Sequence, residues 1–312
     1  MNFPSSIDVI IPVFNGERYI SEALKSVADQ TYKPNRIIVV DDGSTDDTAK
    51  ETHQCSKEFH VPITYLYKSN GGHSSARNMG IAASDSDFIA FLDADDLWDK
   101  YKLEAQISVF HQTSFPNLGV VYSDITVIDG QGAMVSQYDG YRLNPQLRGD
   151  IFQSLISGNL ISSSASGVLI RRNCFEQVGV FDETLPTSED WDMWLRLAEQ
   201  YEFDYVNDKL VKIRCHTSNT SKKRYLMIKG RIMVLNKLYV RYPDNPQILQ
   251  ELRYQVLCLI GNTLASGRSD IGLAHLLDEK TRADIINDPK GIFYSILRGC
   301  YRGVRKLVRR IG

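Results

Sequence analysis

The 312-residue chain is poor in cysteine, with five widely separated thiols (Cys55, Cys174, Cys215, Cys258 and Cys300) and no Cys-x-x-Cys pair. A disulfide framework and a zinc ribbon are therefore excluded, and reduced thiols are the expectation. A dominant charge is missing too. Lys and Arg number 36 against 38 Asp and Glu, a net charge of −2, so the overall balance gives no reason to expect nucleic acid as a partner. No apolar run is long enough to cross a bilayer, and Met1 to Ser6 lacks the basic flank and apolar centre of a secretory leader. These absences predict a cytoplasmic protein. There is no internal repeat or low-complexity segment, and no Gly-x-Gly-x-x-Gly follows the first predicted strand, which removes dinucleotide-dependent oxidoreductases.

What is present is ordinary in bulk: 43% hydrophobic and 24% charged residues, enough chain for one large domain or two smaller ones. The informative stretch is Phe88 to Trp98. Phe88–Leu92 is an unbroken apolar run, as in a strand buried on both faces. It runs straight into Asp93, Ala94, Asp95 and Asp96. Three carboxylates within four residues repel one another beside a core unless a cation sits among them. A solvated helix start at Asp95–Trp98 is the simpler explanation for such a motif taken alone.

Other apolar runs predict strands at Ile7–Phe14, Arg36–Val40, Ile63–Leu66, Val120–Val127 and Gly167–Arg171, with shorter ones near Phe203–Val206 and Leu210–Ile213. Pro12 should mark a strand end or edge, since it has no N–H for a ladder. Helical patterns at Arg18–Asp29, after Asp46 to about Lys57, and Gly71–Ala83 separate the early strands. That alternation predicts right-handed crossovers and an α/β, doubly wound, mainly parallel sheet, with ligands bound beyond the strands' carboxyl ends. Thr187–Leu197 opens an amphipathic helix with Trp191 and Trp194 on one face. From Ser221 the pattern is helical throughout: Tyr225–Tyr242, Pro246–Ser266, Asp270–Leu277 and a basic end.

Residues 291–312 hold six basic residues (Arg298, Arg302, Arg305, Lys306, Arg309, Arg310) and no acids, which leaves −8 on the remainder of the chain. On a helix, the basic residues fall opposite Phe293, Ile296, Cys300, Val304, Leu307, Val308 and Ile311. Such segregation suits a helix lying in an anionic membrane interface, although Gly299 and Gly303 weaken it and a packed helix with a solvated basic face is the alternative.

The order and spacing of Pro12-Val-Phe-Asn15, Asp41-Asp-Gly-Ser-Thr-Asp46, Asn70-Gly-Gly72 with Ala76-Arg-Asn78, Asp93-Ala-Asp95-Asp96 and Glu189-Asp-Trp191 resemble family 2 glycosyltransferases from about Ile7 to Ser221. The resemblance implies an inverting enzyme of the GT-A fold that takes a nucleotide-sugar, with a catalytic domain over 1–220 and a helical region over 221–312 that it does not cover. It implies Mn²⁺ or Mg²⁺ on Asp95, which suits hard ions that accept one or two carboxylates plus phosphate oxygens. Asp93 then faces the ribose or donor sugar, with Ala94 between them and Asp96 as a further donor-sugar contact. Asp41 and Asp42 lie where a nucleobase enters, with Asp42 favoured to accept a uracil N–H. Pro12, Phe14 and Asn15 complete that wall, although Phe14 by itself reads as core. Arg77 is placed to reach the diphosphate or Asp93. Asp190 matches the family's general base, with Glu189 and Trp191 in the acceptor or donor-sugar pocket. His216 stands where such enzymes often carry a metal ligand.

Two of these readings have local alternatives. Ser44…Asp47 and Thr187…Asp190 are both good capping boxes, which explains their polar residues without a ligand. The expected acceptor is a saccharide or a lipid-linked one, in cell-surface polysaccharide or glycolipid synthesis, which would place the protein at the inner membrane face. A sugar-phosphate nucleotidyltransferase is an alternative, but Asn15-Gly-Glu-Arg18 lacks the glycine- and base-rich loop that holds a triphosphate. A non-catalytic nucleotide-sugar binding protein is the other, although none of the acids is missing.

Overall fold

In the computed structural model, residues 5–135, 147–161, 164–216, 223–265 and 281 are described. The first half alternates as its apolar periodicity requires: β1 (Ile7–Val13), α1 (Ile20–Ala28), β2 (Arg36–Asp41), α2 (Thr48–Glu58), β3 (Ile63–Tyr67), α3 (His73–Ala83) and β4 (Phe88–Phe91). It continues through β5 (Leu97–Trp98), α4 (Lys102–Gln112), β6 (Leu118–Asp129), α5 (Phe152–Leu155), β7 (Val168–Arg171), α6 (Asn173–Val178), α7 (Glu189–Ala198) and β8 (Glu202–Cys215). Helices α8 (Arg224–Arg241) and α9 (Pro246–Ala265) follow.

One eight-stranded sheet runs in the order β3-β2-β1-β4-β7-β6-β8-β5. Four of its seven pairings are parallel, and β7 is antiparallel to both its neighbours. After β1 the chain steps outward to β2 and β3, then returns to the other flank of β1 with β4. That reversal opens a crevice between the carboxyl ends of β1 and β4, the usual ligand position in such sheets. Pro12 fits its place there, because the β4 register ends at Ile10–Phe91 and Pro12 is registered only with Val40 of β2. Beneath lies an apolar core that includes Ile7, Val9, Ile11, Leu24, Ile37 and Val121.

The alternative of a helix start at Asp95–Trp98 is not met: Leu97 and Trp98 pair with Lys212 and Val211 of β8. One expectation changes. The two short strands expected after Glu202 are one 14-residue strand, carried across the polar Asn207–Lys209 by parallel pairing with β6, with register shifts at Ser123 and Asp124.

The chain divides into two compact units, one of residues 1–183 and 192–217 and one of 184–191 and 218–312. The expected helix at Asp270–Leu277, the basic segment 291–312, and residues 136–146 of the irregular stretch lie outside the described residues. Among the described residues, no helix is long and apolar enough to cross a membrane.

Candidate active site

The acids after β4 separate into one buried and two reachable. Asp96 is 2% exposed, whereas the side chains of Asp93 and Asp95 are 25% and 27% exposed. Asp96 is fully engaged by the protein: Ser166 Oγ donates to Oδ2 at 2.7 Å, and the Arg214 amide donates to Oδ1 at 2.9 Å. Burial, then the charges of Asp95 and Asp93, push its carboxyl well above the usual range. The donor-sugar contact expected of Asp96 is therefore replaced by a structural task, tying the loop after β4 to β8.

Ser166, in the 3-10 turn Ala165–Gly167, is the hub of this loop. Its hydroxyl donates to Asp96 and accepts from the Asp93 amide at 3.0 Å, while its carbonyl accepts from Trp98 Nε1 at 2.9 Å.

Asp93 Oδ1 accepts from Arg77 Nη2 at 2.9 Å. Arg77 is buried on α3 with its guanidinium 5.3 Å from the Phe181 ring centre, so of its two expected targets this structure shows the carboxylate. Asp95 Oδ2 lies 2.8 Å from His216 Nε2. Desolvation and then the negative charge of Asp93 raise the Asp95 carboxyl above its ordinary value, and His216 pulls it back.

His216 is itself seated. Its ring stacks on Tyr19 at 5.6 Å between centres, and the buried Arg214 guanidinium lies 4.5 Å over the same tyrosine. Arg214 also donates from Nε to the Asp95 carbonyl and from Nη2 to Glu22, both at 2.8 Å. Tyr19, Glu22 and Ser166 carried no signal in the sequence, because each acts on a partner far along the chain.

Asp95 and His216 are the carboxylate and imidazole a metal would use, and among the described residues no group of three or more His, Cys, Asp or Glu is arranged to hold one. That donor set fits a hard divalent ion whose remaining positions come from diphosphate and water oxygens, with the imidazole favouring Mn²⁺ over Mg²⁺.

The Asp41–Asp42 pair is buried at 1% and 3% exposure. Asp41 accepts from the Ser44 amide at 2.7 Å and from the Tyr65 hydroxyl. Asp42 accepts from Lys68 Nζ at 2.7 Å, the Gly71 amide at 2.8 Å and the Gly72 amide at 2.7 Å, and so fixes the loop that opens α3. Gly43 is required beside it, with φ at +86° and an added Cβ only 2.9 Å from the Asn70 nitrogen.

The expected nucleobase acceptors thus hold protein donors, although a carboxylate has lone pairs beyond those used here. The Ser44 capping box does not form. Ser44 Oγ accepts from the Asn15 amide instead, Asn15 Oδ1 accepts from the Thr45 amide, and α2 begins at Thr48. Asn15, at φ +51°, laces two loops together. Phe14 is 51% exposed at the end of β1, so it is not core.

Glu189 and Asp190 are half-buried at the start of α7, and Asp190 Oδ1 accepts from the Trp191 amide at 2.8 Å. At the second capping position, the Thr187 hydroxyl donates to the Leu226 carbonyl at 3.1 Å. Trp191, expected to line a sugar pocket, is 3% exposed and closed off like Trp194, so its role is packing.

The doubly wound sheet places part-exposed aspartates at its reversal point, where such sheets take ligands. The family profile described as "Glycosyl transferase family 2" matches residues 8–179, and this chain belongs to that family. It is 32% identical over 221 residues to an uncharacterised glycosyltransferase of Rickettsia prowazekii, covering 69% of this chain and 65% of the relative. A Rickettsia conorii relative is also 32% identical, but there the match covers 70% of this chain and 35% of the relative, so this chain spans about a third of that protein's length.

The fold is the GT-A type. S. aureus TarS 1–349 in complex with UDP-GlcNAc superposes with a TM-score of 0.60 at 20% identity, over 90% of this chain and 79% of that TarS chain. The mannosyltransferase PcManGT of Pyrobaculum calidifontis, solved with GDP-Man and Mn²⁺, gives 0.58 at 16% identity, over 96% and 88%.

Proposed function

We propose that this chain is an inverting glycosyltransferase that moves a sugar from a nucleotide-sugar, with UDP as the nucleotide, to a hydroxyl of a saccharide or lipid-linked acceptor in cell-surface polysaccharide or glycolipid assembly. The observation that carries the reading is the pair of part-exposed carboxylates, Asp93 and Asp95, at the β1–β4 crevice, each set by a basic partner. UDP is supported by the UDP-GlcNAc complex of TarS, and polysaccharide assembly by the 26% identity over 234 residues to the chondroitin synthase of Escherichia coli.

Bond breaking at the anomeric carbon leaves negative charge on the departing diphosphate. Asp95 and His216 are the residues that would hold a divalent ion, which would supply counter-charge there. Arg77 holds Asp93 in one rotamer, which leaves the second Asp93 oxygen to orient a ribose or sugar hydroxyl. Asp190 takes the proton of the attacking acceptor hydroxyl.

Purified protein should release UDP from a UDP-sugar in the presence of Mn²⁺ and cease to do so in excess chelator. Pyrophosphate release from a nucleoside triphosphate and a sugar phosphate would instead identify a nucleotidyltransferase.

A lipid-linked acceptor would put the substrate at a membrane, where each basic residue of 291–312 near the surface adds about 1 kcal/mol of attraction. Deleting 291–312 should release the protein from anionic vesicles at low salt without changing UDP release. Full-length protein that ignores such vesicles would remove the membrane from this reading.

A further inference from the structure

Asp190, the acid proposed for proton transfer, does not group with the sheet. Residues 184–191 belong to the same compact unit as the helical region that follows residue 217. Within that unit, Thr187 and Ser188 are 4% and 7% exposed. The Thr187 hydroxyl donates to the Leu226 carbonyl in the first turn of α8. One turn further along, an added Cβ on Gly230 would lie 2.5 Å from the Thr187 carbonyl oxygen.

The backbone of Thr187 therefore runs directly against α8, at a distance that only glycine permits. Glycine inside a helix weakens it, and this contact supplies the reason for its presence. The next residue, Ser188, has φ at +66°, a conformation that a non-glycine residue keeps only where its surroundings hold it. Glu189 then opens α7, and Asp190 stands three residues from the clamp.

We infer that Thr187 and Gly230 are positioning residues for Asp190, so that α8, beyond the residues shared with the family profile, aims the base at the acceptor hydroxyl. The inference rests on the reading of Asp190 as the base. Misplacing a reacting group by about 1 Å costs on the order of a hundredfold in rate.

The test compares Thr187→Val, Thr187→Ser, Gly230→Ala and Asp190→Asn in steady-state transfer, with donor affinity and thermal midpoint measured alongside. Thr187→Val and Gly230→Ala should each lower kcat roughly tenfold to a hundredfold while donor KM stays within about twofold. Thr187→Ser, which keeps the hydroxyl, should restore kcat. Wild-type kcat in both clamp variants, with Asp190→Asn impaired, would overturn the positioning role alone. Loss of kcat matched by loss of folded protein in both variants, or loss in Thr187→Ser equal to that in Thr187→Val, would likewise overturn it. An active Asp190→Asn enzyme would overturn the base reading itself, and the inference with it.

Discussion

Asp95→Asn should abolish metal-dependent release of UDP and leave the fold intact. The substitution keeps the shape of the side chain and removes the one reachable carboxylate that His216 addresses. Losing a preorganised counter-charge where negative charge develops costs about a hundredfold to a thousandfold in kcat, and losing the ion itself costs more. The fold should tolerate the change because Asp95 is partly exposed, and burial with the neighbouring Asp93 already disfavours its charge.

The thermal midpoint should therefore stay level or rise. Asp96→Asn gives the contrast. Its oxygens accept from Ser166 and the Arg214 amide, so an amide NH₂ turned toward either leaves a buried mismatch of about 1–3 kcal/mol. Calorimetry and a nucleotide-release assay on the two variants separate the roles. An Asp95→Asn enzyme that releases UDP at the wild-type rate would sink the metal assignment.

Asp190→Asn should lower turnover by about a hundredfold to ten-thousandfold, the usual range for losing a general base. Donor affinity should stay near normal, because Asp190 belongs to a different compact unit from Asp93 and Asp95. Asparagine keeps an oxygen able to accept from the Trp191 amide, the local bond that Asp190 makes. Stability should hardly move. With Asp190 as the base, the acid limb of the pH–rate profile should flatten in the variant. Unchanged turnover with a lowered midpoint would show that Asp190 only supports the start of α7.

Most of the sheet was legible because unbroken apolar runs such as Phe88–Leu92 have few other ways to be buried. The order of strands and helices followed from their alternation. What misled was local chemistry with more than one use. Ser44 and Thr187 sit at capping positions, yet their hydroxyls serve Asn15 and Leu226, partners that tertiary packing supplies and spacing cannot reveal. Asn207–Lys209 looked like a break between strands, but the long pairing with β6 carries β8 through it.

At the site, the acids were conspicuous as a run of like charges, while their anchors were single ordinary residues. Lys68 meets Asp42 from 26 positions away, and Ser166 meets Asp96 from 70. Trp191 was misjudged because a helix face of large apolar residues does not say which one borders solvent.

The link from Asp96 to the Arg214 amide joins residues 118 positions apart, and the Arg214–Glu22 pair joins residues 192 apart. During synthesis, Asp95 and Asp96 emerge long before β8 and His216, which seat them, whereas Arg77, the partner of Asp93, precedes it. Until β8 lies beside β6, the three carboxylates are clustered without Arg214 or His216. Non-local parallel pairing of that kind closes a large loop and slows folding. Closure of β8 is thus the step that turns a repulsive acidic loop into an ordered site, and a nascent chain that stops before Arg214 has the strands of the first half without the centre they were built to present.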